Sequence, residues 1–473
     1  MARNGCEVWT MENISFWLIC RERRRGFTGK MRRFYGIAMC LLCSAAAFPA
    51  EMVKSEMRVE SAYATQDRTF FGSMVAVDGD RLAAATRNYE GRTNYVEVFG
   101  RSGNTWNSEA VFGFAGTNVV QSIDLSGDRL AVGIDLPGEV RVYERGTAGW
   151  SLVDTLAFAE GRGARVSLAG ETLAVLMGSH EQKGGGTFVY ELESGEWRQR
   201  FATNWSGAVI DTDGNTVVVG SPTDPRLGAG LVLTYVREFG RWRVGPRIQA
   251  PEFMLIPFGT SVGVWEDRIV VGASPGRFNE GEAIVYRKAG TNYVEETVLG
   301  SGVTQDFFGQ SVAISGRTIA VGAPLGDGGL GAVYLFRWNE GTWTRTEILA
   351  RSTARSVEDF GGAVALGGNV LAAGAPGTLV GPTTGDAGVV VVYDLEPEGP
   401  YIEKVRWQKG SGGGFVMELR IVELNQPHRV EYKARLTDSE WTKVYESSPQ
   451  ERRVTVLDAT ATGETRFYRI VRQ

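Results

Sequence analysis

The sequence predicts an all-β fold: a seven-bladed β-propeller of four-stranded antiparallel blades, closed by an N-terminal strand, plus a small C-terminal β-sandwich. Three observations predict it. A unit recurs seven times at spacings of 43 to 52 residues, which gives room for four short strands and lies in the range of propeller repeats. Inside each unit apolar residues alternate at period two, the mark of half-buried strands. The third is turn chemistry: 62 glycines against 15 prolines in 473 residues mark many tight turns rather than collagen or a low-complexity tail.

The unit at Phe308 to Phe336 is the plainest copy. Phe308-Gly309 opens it, and Ser311-Val312-Ala313-Ile314 alternates as a first strand. Ser315-Gly316-Arg317 turns the chain through a glycine that accepts positive φ. Thr318 to Gly322 is a second strand, stopped at Gly322-Ala323-Pro324 because proline has no amide hydrogen to give a ladder. Gly331 to Phe336 reads as a third strand and Trp343 to Leu349 as a fourth. The other first strands begin at Phe71-Gly72, Val119-Val120, Arg162-Gly163, Ser206-Gly207, Phe258-Gly259 and Phe360-Gly361. One such sheet has two bare faces and two open edges, so it needs its neighbours to fold.

The ring needs a closure. The seventh copy ends at Tyr393-Asp394-Leu395 without a Trp-bearing fourth strand. Ser55 to Ser61, ahead of the first copy, is similar to the fourth strand Thr346 to Ser352. The segment around Met57 is therefore expected to be the outer strand of the seventh blade.

The domain boundaries read as 1–50, an N-terminal extension and signal peptide; 51–398, the propeller; and 399–473, an immunoglobulin- or fibronectin-like sandwich. Met31-Arg32-Arg33 followed by the apolar run Phe34 to Ala47 has the form of a secretory signal, with cleavage at Ala47 or Ala50. The run of about 15 apolar residues is short of the roughly 20 that span a bilayer. Met1 and Met31 are both possible starts, and Arg24-Arg25-Gly26-Phe27 is a partial twin-arginine export pattern. All four cysteines (Cys6, Cys20, Cys40, Cys43) fall in this segment. The exported chain would thus carry no disulfide, thiol nucleophile or Cys-ligated metal. Its charge, 42 basic against 52 acidic residues once the segment's 8 and 3 are removed, argues against nucleic acid and anionic lipid as partners.

Phe-Gly followed by Gly-Ala-Pro, in repeated copies, resembles the FG-GAP repeat family, the unit of the integrin α-chain propeller and of exported bacterial proteins. The motif is specific in copies five to seven: Phe258-Gly259 with Gly272-Ala273-Ser274-Pro275, Phe308-Gly309 with Gly322-Ala323-Pro324, and Phe360-Gly361 with Gly374-Ala375-Pro376. Phe71 and Gly72 open the first copy. The resemblance implies a structural role for these residues, with each Phe and Gly-Ala-Pro turn packed together. It also implies a calcium loop of the form D-x-D-x-D-G-x-x-D in some blades. Calcium needs about six to eight oxygens, and the hairpins here offer at most two carboxylates. Asp211-Thr212-Asp213-Gly214-Asn215 comes nearest and lacks the later acids. The expectation is turn-forming acids, with no metal or other cofactor.

No H-E-x-x-H or G-x-S-x-G pattern is present, and the exported chain has two histidines, His180 and His428, in different domains. No catalytic residue is assigned. The Trp set (Trp106, Trp150, Trp197, Trp242, Trp343) recurs near the start of fourth strands and reads as blade-to-blade packing. Binding is expected in the loops after second strands: Thr86 to Arg92, Leu136 to Glu139, Ser179 to Gly186, Ser221 to Gly230, Ser274 to Gly281, Leu325 to Gly331 and Gly377 to Ala387. The reading is a secreted, periplasmic or cell-surface adhesion or interaction scaffold, monomeric, with an extracellular or envelope protein or glycan as partner. The alternative is an exported hydrolase or lyase acting on polysaccharide or phosphoester from the funnel. Two acids with Tyr or His at the axis would favour the enzyme, and small residues such as Ser73, Ser311 and Ala363 the scaffold.

Overall fold

The computed structural model describes residues 6–10, 16–20, 53–61, 69–87, 93–115, 119–136, 138–158, 161–179, 185–222, 230–251, 257–274, 280–339, 341–350, 358–379, 387–395, 401–408, 414–420, 428–433, 442–447, 453–458 and 467–472. Contacts divide the chain into two compact units, one formed by 47–396 and the other by 1–46 with 397–473. Pro275 and His180 lie outside the described residues, as do parts of all the second-strand loops except 325–331.

Seven antiparallel sheets build the first unit among the described residues. The inner strands are Met74–Asp78, Val120–Ser126, Gly161–Ala169, Val209–Thr212, Phe258–Trp265, Ser311–Ser315 and Val364–Gly367. Each packs against the inner strand of the next blade, and the seventh against the first, so the ring is closed. Second strands such as Thr318–Ala323 and Val370–Ala375 are buried along their whole length because neighbouring blades cover both faces. The core therefore consists of blade-to-blade layers. One of them gathers Val270, Ala283 and Val285 of blade five with Ile319, Val321 and Tyr334 of blade six.

The closure falls where the sequence places it. Val53–Val59 runs antiparallel to Val389–Leu395 as the outer strand of the seventh sheet, with Met57 opposite Val392. Asp394 fastens the seam. Its carboxylate accepts both Arg101 guanidinium nitrogens at 2.6 Å and the Ser55 hydroxyl at 2.7 Å, joining the N-terminal strand, blade seven and blade one.

Three features differ from the expected plan. In blade four the outer strand Arg241–Val244 stops at Gly245-Pro246 and pairing resumes at Ile248–Gln249, because proline cannot donate to the ladder. In blades one, two, three, five and six the outer strand slips register just before the third-strand aromatic (Phe99, Tyr143, Tyr190, Tyr286, Phe336), and in blade five it slips a second time between Glu280 and Glu282. Bulges of this kind add local twist. The Gly-rich segment after Pro324 is one helical turn, Gly326–Gly329.

The second unit holds two antiparallel sheets. One orders Tyr401–Gln408, Gly414–Arg420 and Arg453–Asp458. The other orders Cys6–Thr10, Phe16–Cys20, Phe467–Arg472, His428–Lys433 and Thr442–Ser447. The hairpin over 6–20 falls in a segment that the sequence sets aside as an export signal. Val8, Trp9, Phe16, Trp17 and Ile19 are residues that suit strands, and Ile19 pairs with Phe467.

Candidate functional site

The Phe-Gly and Gly-Ala-Pro residues are buried between blades. Phe71, Phe258, Phe308 and Phe360 are at most 1% exposed. Phe308 meets Tyr334 edge-on, with centroids 5.2 Å apart, and shares a cluster with Ala323 and with blade five. The two glycines of the motif meet across the blade boundary. A Cβ on Gly272, Gly322 or Gly374 would strike the carbonyl of Gly309, Gly361 or Gly72 in the following blade. A further set of glycines goes unmarked in the sequence reading. Gly230, Gly281, Gly331 and Gly388, at the starts of third strands, lie against the carbonyls of Phe258, Phe308, Phe360 and Phe71. Their recurrence is the signal that could have found them. Gly259 and Gly361 have φ near +88° (89° and 87°), and Ala273 and Ala375 are fully buried. Pro324 is buried and Pro376 half-buried at the ends of their strands.

The tryptophans also join blades. Trp150, Trp242 and Trp343 donate Nε1–H to Glu109, Glu191 and Glu296 of the preceding blade at 2.8–2.9 Å. Arg145, Arg237 and Arg268 pair with the same three carboxylates.

Around the axis, inner-strand side chains staple each blade to the next. The amides of Val166, Leu168 and Gly170 donate to Ser122 Oγ, Asp124 Oδ2 and Ser126 Oγ at 2.7, 2.7 and 3.0 Å. Every second residue of one strand thus serves every second amide of its neighbour, as strand periodicity dictates. The amides of Val264 and Glu266 reach Asp211 and Asp213 in the same way. Ser261 and Ser311 instead donate to the Gly309 and Gly361 carbonyls. Ser73 donates to Phe70 within its own blade.

Pairing with the second strands makes Ala76, Asp124, Ser167, Asp211, Gly263, Ala313 and Ala365 equivalent around the ring. Polar residues therefore occupy this level in blades two to four. Ser167 Oγ lies 3.0 Å from Asp124 Oδ2 and 3.1 Å from Asp211 Oδ1, and it accepts the Thr212 amide. A hydroxyl has one proton to give. Asp124 Oδ1 and Oδ2 already accept the amides of Leu125 and Leu168, so Asp124 is the natural acceptor of that proton. Asp211 must then carry its own proton and donate it to Ser167. Burial, and secondly the Asp124 charge, push the Asp211 carboxyl up to about 7. Burial pushes Asp124 up to about 6, opposed by its amide bonds.

Asp213 is a turn former. Its Oδ1 accepts the amides of Asn215 and Thr216, and its Oδ2 that of Glu266. The same stretch places Asp211 on the inner strand rather than in the turn. Among the described residues no three His, Cys, Asp or Glu side chains are grouped so as to hold a metal. His428 begins the strand His428–Lys433 in the second unit.

The family comparison agrees with this architecture. Residues 300–336, from the end of blade five's outer strand through the first three strands of blade six, match the FG-GAP repeat family. A solved structure of a protein from Lactobacillus plantarum is 11% identical and aligns over 59% of this chain and 84% of its own, with a TM-score of 0.44. No curated protein matches the chain. The chain is a seven-bladed β-propeller in which residues 300–336 match the FG-GAP repeat.

Proposed function

We propose that the propeller is an exported, non-catalytic interaction scaffold that holds an envelope or extracellular protein or glycan through its second-strand loops. The observation that carries this reading is how the axial polar groups are used. Both oxygens of Asp124 and of Asp211 are taken up by amides or by Ser167. Carboxylates committed to holding blades together are poorly placed for acid–base work on a substrate. No Tyr or His stands on the described inner strands, so the funnel hydrolase or lyase is the less favoured reading. Scaffolds of this kind place variable loops on a rigid frame, and the match to the FG-GAP repeat supports that role. Among the described residues no helix is long and apolar enough to cross a membrane.

The test is capture. The full-length protein and a variant with loop 325–331 replaced by a Gly-Ser turn are screened against envelope extracts and a glycan array. Binding that is lost in the variant at unchanged melting temperature supports the reading. Turnover of a polysaccharide or phosphoester that is abolished by Asp211→Asn would overturn it.

A further inference from the structure

Blade four turns from its third strand to its outer strand through Phe239-Gly240, with Glu238 and Arg241 paired on either side. Both turn residues have positive φ, 51° and 74°, the two-residue hairpin turn that matches strand twist and that Asn-Gly fills best. Blade three makes the same turn with Ser194-Gly195, at 52° and 84°, between the paired Glu193 and Glu196. A phenylalanine gains nothing from that conformation, because its Cβ crowds the backbone at positive φ. It gains nothing from packing either. Phe239 is 97% exposed, against 58% or less for the other large apolar side chains that the described residues expose. A ring both strained and fully wetted costs the folded chain stability, and backbone outliers of this kind gather at functional sites.

The charges around the tip leave one cation over. Arg198 and Arg200 pair with the glutamates of blade three's hairpin, Arg237 with Glu191, and Arg243 with Glu238. Arg241 is exposed and has no hydrogen bond or ion pair among the described residues. The tip thus presents an apolar ring and an unpaired guanidinium two residues apart. The ring stands clear on every side, so the protein forms neither a pocket nor a stacking wall with it. Only a medium that closes around the ring removes it from water. Successive strands of a blade run antiparallel, which puts this hairpin at the end of the ring opposite the second-strand loops.

We propose that the Phe239 hairpin is a membrane-surface anchor: the ring enters the interfacial layer of a bilayer, and Arg241 meets an anionic lipid headgroup. Aromatic rings beside basic residues are the usual composition of surfaces that lie in that layer. A guanidinium presents paired N–H groups that match a phosphate edge. The exported chain is acidic overall, but screening confines the contact to charges within about 8 Å of the lipid at physiological salt, and at this tip the unpaired charge is positive. One ring and one cation hold weakly and reversibly, and they leave the second-strand loops at the far end of the ring accessible.

The test mixes the full-length protein with vesicles of phosphatidylcholine alone and of phosphatidylcholine with phosphatidylglycerol. Co-sedimentation reads binding of wild type, Phe239→Asn and Arg241→Gln, and thermal melting without lipid reads their folding. Wild type is expected to sediment with the mixed vesicles and to bind less as salt is raised. Phe239→Asn should bind about tenfold more weakly. Arg241→Gln should lose about fivefold on the mixed vesicles and little on phosphatidylcholine alone. Phe239→Asn should melt no lower than wild type, because asparagine suits the turn and the lost ring packs on nothing. The anchor is overturned if wild type stays in solution with both vesicles, or if Arg241→Gln keeps wild-type binding to the mixed ones. It is overturned too if Phe239→Asn binds equally well, since the attachment then belongs to another part of the chain, or melts several degrees lower, which would give the ring a structural role. Loop exchange and partner capture probe the other end of the ring, so their outcome leaves this one independent.

Discussion

Replacing Asp211 by asparagine should make the propeller more stable at pH 8 and less sensitive to pH. The bonding around Ser167 allows only one of its two carboxylate neighbours to receive its proton, so the second must be a donor. The carboxamide introduced by Asp211→Asn would donate permanently through its nitrogen to Ser167 and still accept the Val264 amide through its oxygen. In the wild type, Asp211 binds its proton up to about pH 7, whereas the unfolded chain releases it near pH 4. The folded state therefore holds more protons between these limits. Stability is full below about pH 4, falls as pH rises toward about 7, and is level above. Three pH units at about 1.4 kcal/mol each set an upper bound of about 4 kcal/mol, and coupling to Asp124, which shares the proton uptake, brings the expected effect to about 2 kcal/mol. Unfolding entropy of about 2.1 cal/mol/K per residue, over a unit spanning 47–396, gives about 0.7 kcal/mol/K. Asp211→Asn should thus raise the melting temperature at pH 8 by about 3 °C and leave it nearly unchanged at pH 4. Differential scanning calorimetry from pH 4 to 8 reads both numbers. A variant that melts lower than wild type at pH 8, with the wild-type pH slope intact, would refute the assignment of the proton.

Gly322→Ala should lower stability by about 3 kcal/mol in denaturant melts, because the new Cβ strikes the Gly361 carbonyl and Ser311 Oγ in a fully packed layer; Gly290→Ala, at a hairpin where a Cβ would meet nothing within 4 Å, should cost less and is the control. Asp394→Ala strips the seam of three bonds and leaves Arg101 without its bidentate partner, so a loss of about 2–4 kcal/mol is expected; deletion of residues 51–62 should abolish a monodisperse fold by size exclusion. EDTA should leave the melting temperature unchanged, and a large fall would overturn the reading of the hairpin acids as turn formers.

The blades are legible in the sequence because strand alternation and turn glycines repeat, and repetition turns weak local signals into a count. The closing strand is legible for a related reason, since blade seven lacks what Val53–Val59 resembles. The axial arc is not. Asp124 sits between Ile123 and Leu125 in an ordinary alternating strand, and only the third dimension brings it to Ser167, 43 residues on. Asp211 belongs, in the sequence, to a failed calcium pattern, which points to the turn and away from the strand. Gly331 and its equivalents look like loop glycines, because the carbonyl that excludes their Cβ belongs to the next blade.

The seam at Asp394 also sets a schedule. Ser55 and its partner lie 339 residues apart, and at about 5–20 residues per second the leading strand would wait roughly 20–70 s after synthesis for its mate. Until then it is an orphaned edge, and blade one lacks its neighbour. The circle cannot latch until residue 395 has been made. It has to lock in a single late event, so a chain interrupted anywhere before residue 395 is left open to proteases or in need of a chaperone.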